Sequence, residues 1–204
     1  MAKKINIFAL LIAALLFSPG LFASDNLAKD IQEKYKAIND LSADFYQSTY
    51  VEVLGSTIKE RGRFFMKKPG LLRIEYEGEY PKQYISDGKK LWVVSKELDQ
   101  VEIYSVSKGS ITKEGLELLK GFSTMSALFK IETMESKTPE KGHTYLKLTP
   151  KTPSPQYKWL ACDFGPDNVL KTMTIYNKSG NVSTYTFANI RTNEGLDKGI
   201  FTYK

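Results

Sequence analysis

The chain has 204 residues, with 29 Lys plus Arg against 23 Asp plus Glu, one Cys and one His. Its hydrophobic fraction of 42% is that of a globular protein, one Cys excludes an internal disulfide framework, and one His excludes a two-histidine metal centre. No Gly-rich phosphate loop, HExxH, CxxC or EF-hand spacing occurs, so no cofactor, metal site or catalytic residue is expected, and the chain does not read as an enzyme.

Lys3 and Lys4 precede an apolar run from Ile5 to Phe17, broken only by Asn6, and Leu21-Phe22-Ala23 then ends on a small residue. This is the build of a cleaved signal peptide over residues 1–23. An uncleaved anchor is the alternative, but the run is short of the roughly 20 residues that a bilayer needs. Cys162 is far from this run, so the chain is not expected to be lipidated itself. Loss of Lys3 and Lys4 lowers the net charge from +6 to +4 with no run of five like charges. That is a poor nucleic-acid surface, and none is expected as a partner. Residues 24–204 are expected to form one domain.

In chain order, Leu27, Ile31, Lys34-Tyr35 and Ile38 recur at three- and four-residue steps and predict an amphipathic helix over 25–39. Alternation takes over from Leu41. Ala43, Phe45 and Gln47 fall on one side, opposite Asp44 and Tyr46. Phe64 and Met66 alternate with Arg63, Phe65 and Lys67, and Leu72, Ile74 and Tyr76 alternate with Arg73, Glu75 and Glu77. Strands follow at about 80–86, 90–95 and 100–105, with Asp87-Gly88 as a two-residue hairpin turn needing positive φ at both positions. Residues 111–129, with Ile111, Leu116, Leu119, Phe122, Met125 and Phe129 punctuated by Gly115 and Gly121, predict two short helices. Strands resume at about 131–136, 143–149, 157–164, 168–177 and 181–190, and a last short strand is expected from Ile200 to Tyr203. The fold class is mainly β with helices (α+β). So many consecutive antiparallel strands must twist and curl, towards an unclosed β-barrel.

A curled sheet has a concave face, and Phe64, Met66, Leu72, Ile74 and Tyr76 would line it. The glycine-broken helices, with Leu116, Leu119, Phe122 and Met125, either fill that face as core or cover it as a lid over an apolar ligand. Periodicity alone favours core, since large apolar surface is rarely left free.

The residues also resemble a family. Phe45-Tyr46-Gln47, Gly62-Arg63-Phe64, and Lys68-Pro69-Gly70-Leu71-Leu72-Arg73-Ile74-Glu75-Tyr76 follow its pattern. So do Pro81, Ser86-Asp87-Gly88-Lys89-Lys90-Leu91-Trp92, Gln100-Val101, Leu148-Thr149-Pro150, Asn177-Lys178-Ser179-Gly180, Tyr185-Thr186-Phe187 and Asn189. Order and spacing over nearly all of residues 24–204 resemble the LolA-type outer-membrane lipoprotein carriers. The resemblance implies an unclosed β-barrel covered by an N-terminal helix and a helical lid. It implies a monomeric periplasmic shuttle that takes acylated lipoproteins from an inner-membrane exporter to an outer-membrane receptor lipoprotein. At ~0.8 kcal/mol per CH₂, three chains of ~15 methylenes would expose on the order of 36 kcal/mol of unfavourable hydration, so aqueous transit needs a cover. A carrier or sensor of another acylated lipid or glycolipid is the alternative.

Two positions depart from the family pattern. Its Arg before the Pro that opens the third strand, implied to latch the lid, is here Lys68, a point donor without the guanidinium fork; Lys68 could equally be a solvated edge residue beside Lys67. The family's Pro-containing tail is replaced by Phe201-Thr202-Tyr203-Lys204. Of the remaining singletons, His143 is expected in an exposed turn, Cys162 in a packed strand, and Glu97, Asp99 and Glu102 around a hairpin turn and sheet edge.

Overall fold

The computed structural model describes residues 20–106 and 122–203. Helix α1 (Gly20–Ala37) leads into β1 (Asp40–Val51), β2 (Ser56–Lys67), β3 (Leu71–Glu77), β4 (Lys82–Ser86), β5 (Lys90–Ser95) and β6 (Gln100–Ser105). A 3₁₀ turn at Phe122–Thr124 and the one-turn helix α2 (Met125–Leu128) then precede β7 (Phe129–Thr133), β8 (Thr144–Pro150), β9 (Tyr157–Phe164), β10 (Leu170–Asn177) and β11 (Val182–Thr192). All eleven strands form one sheet, ordered β6-β5-β4-β3-β2-β1-β11-β10-β9-β8-β7, with each adjacent pair antiparallel. The edge strands β6 and β7 do not pair, so the barrel is unclosed. No helix among the described residues is long and apolar enough to cross a membrane.

The sheet bends where β11 carries an extra residue opposite β1, between the pairs Ser42–Arg191 and Asp44–Ala188. Asn189 takes φ 50° inside this bulge, and its Nδ2 donates to Asp44 Oδ2 at 2.6 Å. A bulge increases local twist and bends the strand that carries it. Placed near the middle of the strand order, this one helps curl the two wings around α1.

The apolar side of α1, Ala28, Ile31, Tyr35 and Ile38, is buried in the same core as Leu41, Phe64, Met66, Leu72, Leu146, Leu160 and Phe164. Ile31, Tyr35 and Ile38 of the predicted periodicity are therefore on the packed face, but Ala28 is buried there where Leu27 is expected and Leu27 is only half-buried, and the helix starts at Gly20 and stops at Ala37. The expected cleavage junction Ala23–Ser24 falls within α1, and residues 1–19 lie outside the described residues. At its other end, Asn193 Nδ2 donates to the Ala37 carbonyl at 3.1 Å. Asp40 is buried behind it, accepting from the Glu194 and Gly195 amides at 2.9 and 3.2 Å and lying 3.4 Å from Lys67 Nζ.

Three local expectations need correction. Ile200–Tyr203 is not a strand: Lys198–Phe201 is a 3₁₀ turn, with Asp197 Oδ1 accepting from the Gly199 amide at 2.6 Å and Phe201 buried. An Asp side chain that satisfies a nearby amide favours a turn over a ladder. At the β4–β5 hairpin only Gly88 takes positive φ, at 88°. Asp87 acts through its carboxylate, which accepts from the Lys89 and Lys90 amides at 2.8 and 2.7 Å. His143 is not an exposed turn residue, for its side chain is 11% exposed and bonded across to β9.

Candidate functional site

The strand register places Phe64, Met66, Leu72, Ile74 and Tyr76 on one face. Leu72 pairs with Met66, Ile74 with Phe64, and Tyr76 with Gly62, while Leu41, Ala43 and Phe45 continue the same rows on β1. Phe64, Met66 and Leu72 are buried; Ile74 and Tyr76 are partly buried and pack against the core. This is the side that holds α1, hence the concave side. The opposite register, Arg73 with Ile85 and Gln83 with Val94, faces outward. There Phe201 of the C-terminal turn is buried, as are Ile85 and Val94, which with Arg73, Gln83, Asp99 and Tyr203 line an open groove of about 490 Å³.

Gly62 is what lets the aromatic rows close. A Cβ on it would lie 2.0 Å from the Glu75 carbonyl oxygen and 2.8 Å from Cζ of Phe45, so the Phe45 ring fits only over a bare backbone. Tyr76 meets that ring edge-on at 5.1 Å, with Tyr185 at 6.3 Å on its other flank.

Of the expected lid residues, Leu116 and Leu119 lie outside the described residues, as do Gly115 and Gly121. Phe122 and Met125 are fully buried, at 1% and 0% exposure. Phe122 packs against Tyr35 at 5.0 Å and edge-on against Phe164 at 5.3 Å, while the Tyr35 hydroxyl accepts from the Leu170 amide at 3.1 Å. Burial pushes the Tyr35 phenol well above its ordinary pKa, so it remains neutral. Polar contacts hold the 122–128 segment from outside: Gln32 Oε1 accepts from the Ser126 amide at 3.0 Å, Lys151 Nζ donates to the Ser126 carbonyl at 2.7 Å, and the Lys151 amide donates to the Leu128 carbonyl at 2.9 Å.

Lys68 reaches α1. Its Nζ donates to the carbonyls of Tyr35 at 2.7 Å and Lys36 at 3.0 Å, two of the acceptors that a helix leaves open at its C-terminus. Partial burial lowers its pKa, yet the positive charge sits at the helix end that favours it. Its partners are thus on the N-terminal helix and not on residues 122–128.

A polar strip on the same concave face had no role assigned from the sequence. The Tyr76 hydroxyl donates to Gln47 Oε1 at 2.9 Å, Gln47 Nε2 donates to Thr49 Oγ1 at 3.0 Å, and Thr49 Oγ1 donates to Ser183 Oγ at 3.1 Å. Tyr185 flanks the Phe45 ring on the same face, and Tyr84 stands 5.9 Å from the Tyr76 ring. Burial raises the pKa of all three phenols and keeps them as neutral donors. One signal was available, namely Gln47 two residues beyond Phe45 on an otherwise apolar face.

His143 lies elsewhere, at the start of β8. Its Nδ1 is 2.7 Å from Asp163 Oδ1 and its Nε2 is 3.4 Å from Glu140 Oε2. With each ring nitrogen facing a different carboxylate, this trio is accounted for as a clasp between the β7–β8 connection and β9. Cys162 is buried in the core, and burial with the nearby Asp163 raises its thiol pKa, so it is no nucleophile.

Comparison with known proteins agrees with this architecture. The family model described as outer membrane lipoprotein carrier protein LolA matches residues 36–204. An outer-membrane lipoprotein carrier protein of Methylococcus capsulatus is 28% identical over 163 residues, covering 80% of this chain and 76% of its own. That of Pasteurella multocida is 27% identical over 176 residues, covering 86% and 82%. Among solved structures, a DUF1329 family protein from Desulfovibrio piger superposes with a TM-score of 0.53 at 13% identity, over 90% of this chain and 98% of that one, a likeness of fold alone.

Proposed function

The chain belongs to the LolA family of outer-membrane lipoprotein carrier proteins, and on that premise we propose that it is a monomeric periplasmic carrier. Residues 1–23 are its cleaved signal peptide and residues 24–204 its single working domain. It takes the acyl chains of a lipoprotein from an inner-membrane exporter onto the concave face and yields them to an outer-membrane receptor lipoprotein. It performs no covalent chemistry and needs no cofactor.

The observation that carries this reading is the one-sidedness of the sheet. Phe64, Met66, Leu72, Ile74 and Tyr76 align on the concave side of an unclosed barrel, covered by helical segments that are not part of the sheet. Acyl chains need an apolar surface of this kind, since each methylene withdrawn from water contributes ~0.8 kcal/mol. When the carrier is empty, Phe122 and Met125 supply that cover. On loading, the 122–128 segment swings away, giving up its bonds to Gln32 and Lys151, and Lys68 governs how readily α1 follows. A cover that competes with the cargo for the same face keeps the carrier's hold weak enough for onward transfer.

Titration of the purified protein with a fluorescent acyl probe tests the reading. Saturable binding without metal or nucleotide is expected, with displacement by a triacylated peptide. Absence of saturable binding by folded, delipidated protein would overturn it. Displacement by a glycolipid in preference to the peptide would turn the reading to the second class of cargo.

A further inference from the structure

A polar strip runs beside the apolar floor. It crosses the concave face on β4, β3, β1 and β11, and its internal bonds use only part of its donor capacity. Gln47 Nε2 spends one hydrogen on Thr49 and retains a second. Ser183 accepts from Thr49 and keeps its own proton. Among the described residues the Tyr84 hydroxyl has no hydrogen-bond partner, although its ring packs at 5.9 Å against Tyr76. Tyr84 thus stands beside Ile74, which pairs with both Tyr84 and Phe64, while Gln47 and Ser183 lie further along the strip beyond Phe45.

A surface that only shielded hydrocarbon would gain nothing from these groups; no fully buried side-chain nitrogen or oxygen among the described residues lacks a partner, so the unspent donors are open to solvent and to a ligand. The matching ligand has acceptors at the end of an apolar chain and no negative charge of its own there, since the Glu60 carboxylate acts on all three phenols and that of Glu102 on Tyr84. Ester and amide carbonyls, which join acyl chains to a head group, have that chemistry. Resting on the acyl-carrier reading above, we propose that Tyr84, Gln47 and Ser183 form a subsite for the carbonyl oxygens at the junction of chain and head group, so that the carrier recognises how its chains are attached as well as their length. Tyr76 and Thr49 are the positioning residues: their hydroxyls fix the orientation of the Gln47 amide and of Ser183. Neutral donors bind carbonyls across the whole physiological pH range and give a bare hydrocarbon no such advantage.

The test compares two lipids of equal chain length, dioleoylglycerol and its dioleyl ether analogue, which lacks both carbonyls, as competitors of a fluorescent acyl probe on the full mature protein. The wild type is expected to bind the diester about tenfold more tightly, the factor that two donor bonds of ordinary strength supply. In Tyr84→Phe, and separately in Ser183→Ala, that ratio is expected to fall towards one. Equal binding of the two lipids by the wild type would overturn the subsite without any variant. A tenfold ratio that persists in both variants would overturn it as well, by placing the discrimination elsewhere. Failure of both lipids to displace a probe that does bind also counts against the subsite, whereas failure of the probe itself to bind removes the carrier reading on which it rests.

Discussion

The Nζ of Lys68 lies 2.7 Å from the backbone oxygen of Tyr35 and ties the end of β2 to the last turn of α1 across a separation of 33 residues. The ring of the same Tyr35 is the surface on which Phe122 packs. One ammonium group therefore fixes the helix that in turn seats Phe122.

Lys68→Met removes both helix-end bonds while keeping the aliphatic stem. Hydrogen bonds to a charged donor contribute about 1.5–3 kcal/mol, and the loss is expected as faster amide exchange in residues 28–38, measured by mass spectrometry. Lys68→Arg retains donors for both carbonyls and is expected to keep protection at or above the wild-type level. Equal protection in the wild type and in Lys68→Met would make the residue a solvated edge lysine.

Leu72 and Ile74 share a face but not a burial, and substitutions there separate packing from binding. Leu72 is fully buried, so Leu72→Ala is expected to lower stability by about 2–5 kcal/mol in urea unfolding. Ile74 is only partly covered, and Ile74→Glu is expected to fold while losing affinity for an acyl probe. Wild-type probe affinity in a folded Ile74→Glu protein would remove this face from the binding site.

Gly62 has no room for a methyl group. An alanine would ordinarily strengthen a strand, but here its Cβ meets a backbone oxygen at 2.0 Å that cannot turn aside. Gly62→Ala is expected to destabilise by about 3 kcal/mol, the upper end of ordinary overpacking, and to lower the thermal midpoint accordingly. An unchanged midpoint would show that β2 and β3 separate without strain.

Asp87 links the hairpin to pH. Burial opposes its ionisation, but the Lys90 and Lys89 amides and then the two ammonium charges outweigh this, and its pKa is lowered. A carboxyl depressed on folding stabilises above its unfolded pKa of about 3.9 and loses that contribution as pH falls through the lower folded value. Urea midpoints of the wild type are thus expected to drop more steeply below about pH 4 than those of Asp87→Asn. Parallel curves would show that the turn does not depend on the charge.

Much of this fold was legible in the residues. The three- and four-residue steps of Ile31, Tyr35 and Ile38 mark the buried side of α1, and the alternation of Leu72, Ile74 and Tyr76 marks the concave side of β3, because both patterns follow from local backbone geometry. Local pattern fails where a side chain takes the place of a ladder. Asp197 diverted the last segment into a 3₁₀ turn, and Asp87 shaped its hairpin through its carboxylate. His143 departs from its expected exposure because its partner Asp163 is 20 residues away on another strand.

The sequence by itself determined that strands follow one another, which side of each is apolar, and that the sheet had to curl. Only the tertiary structure decided that Lys68 reaches α1, that Gly62 yields its space to Phe45, and that Tyr76, Gln47, Thr49 and Ser183 join into one strip. The physical reason is range. Periodicity records what each residue does relative to its immediate neighbours, whereas these contacts arise from the order in which eleven strands lie side by side and from the bulge that bends them, and strand order brings together positions whose spacing along the chain carries no signal of their meeting.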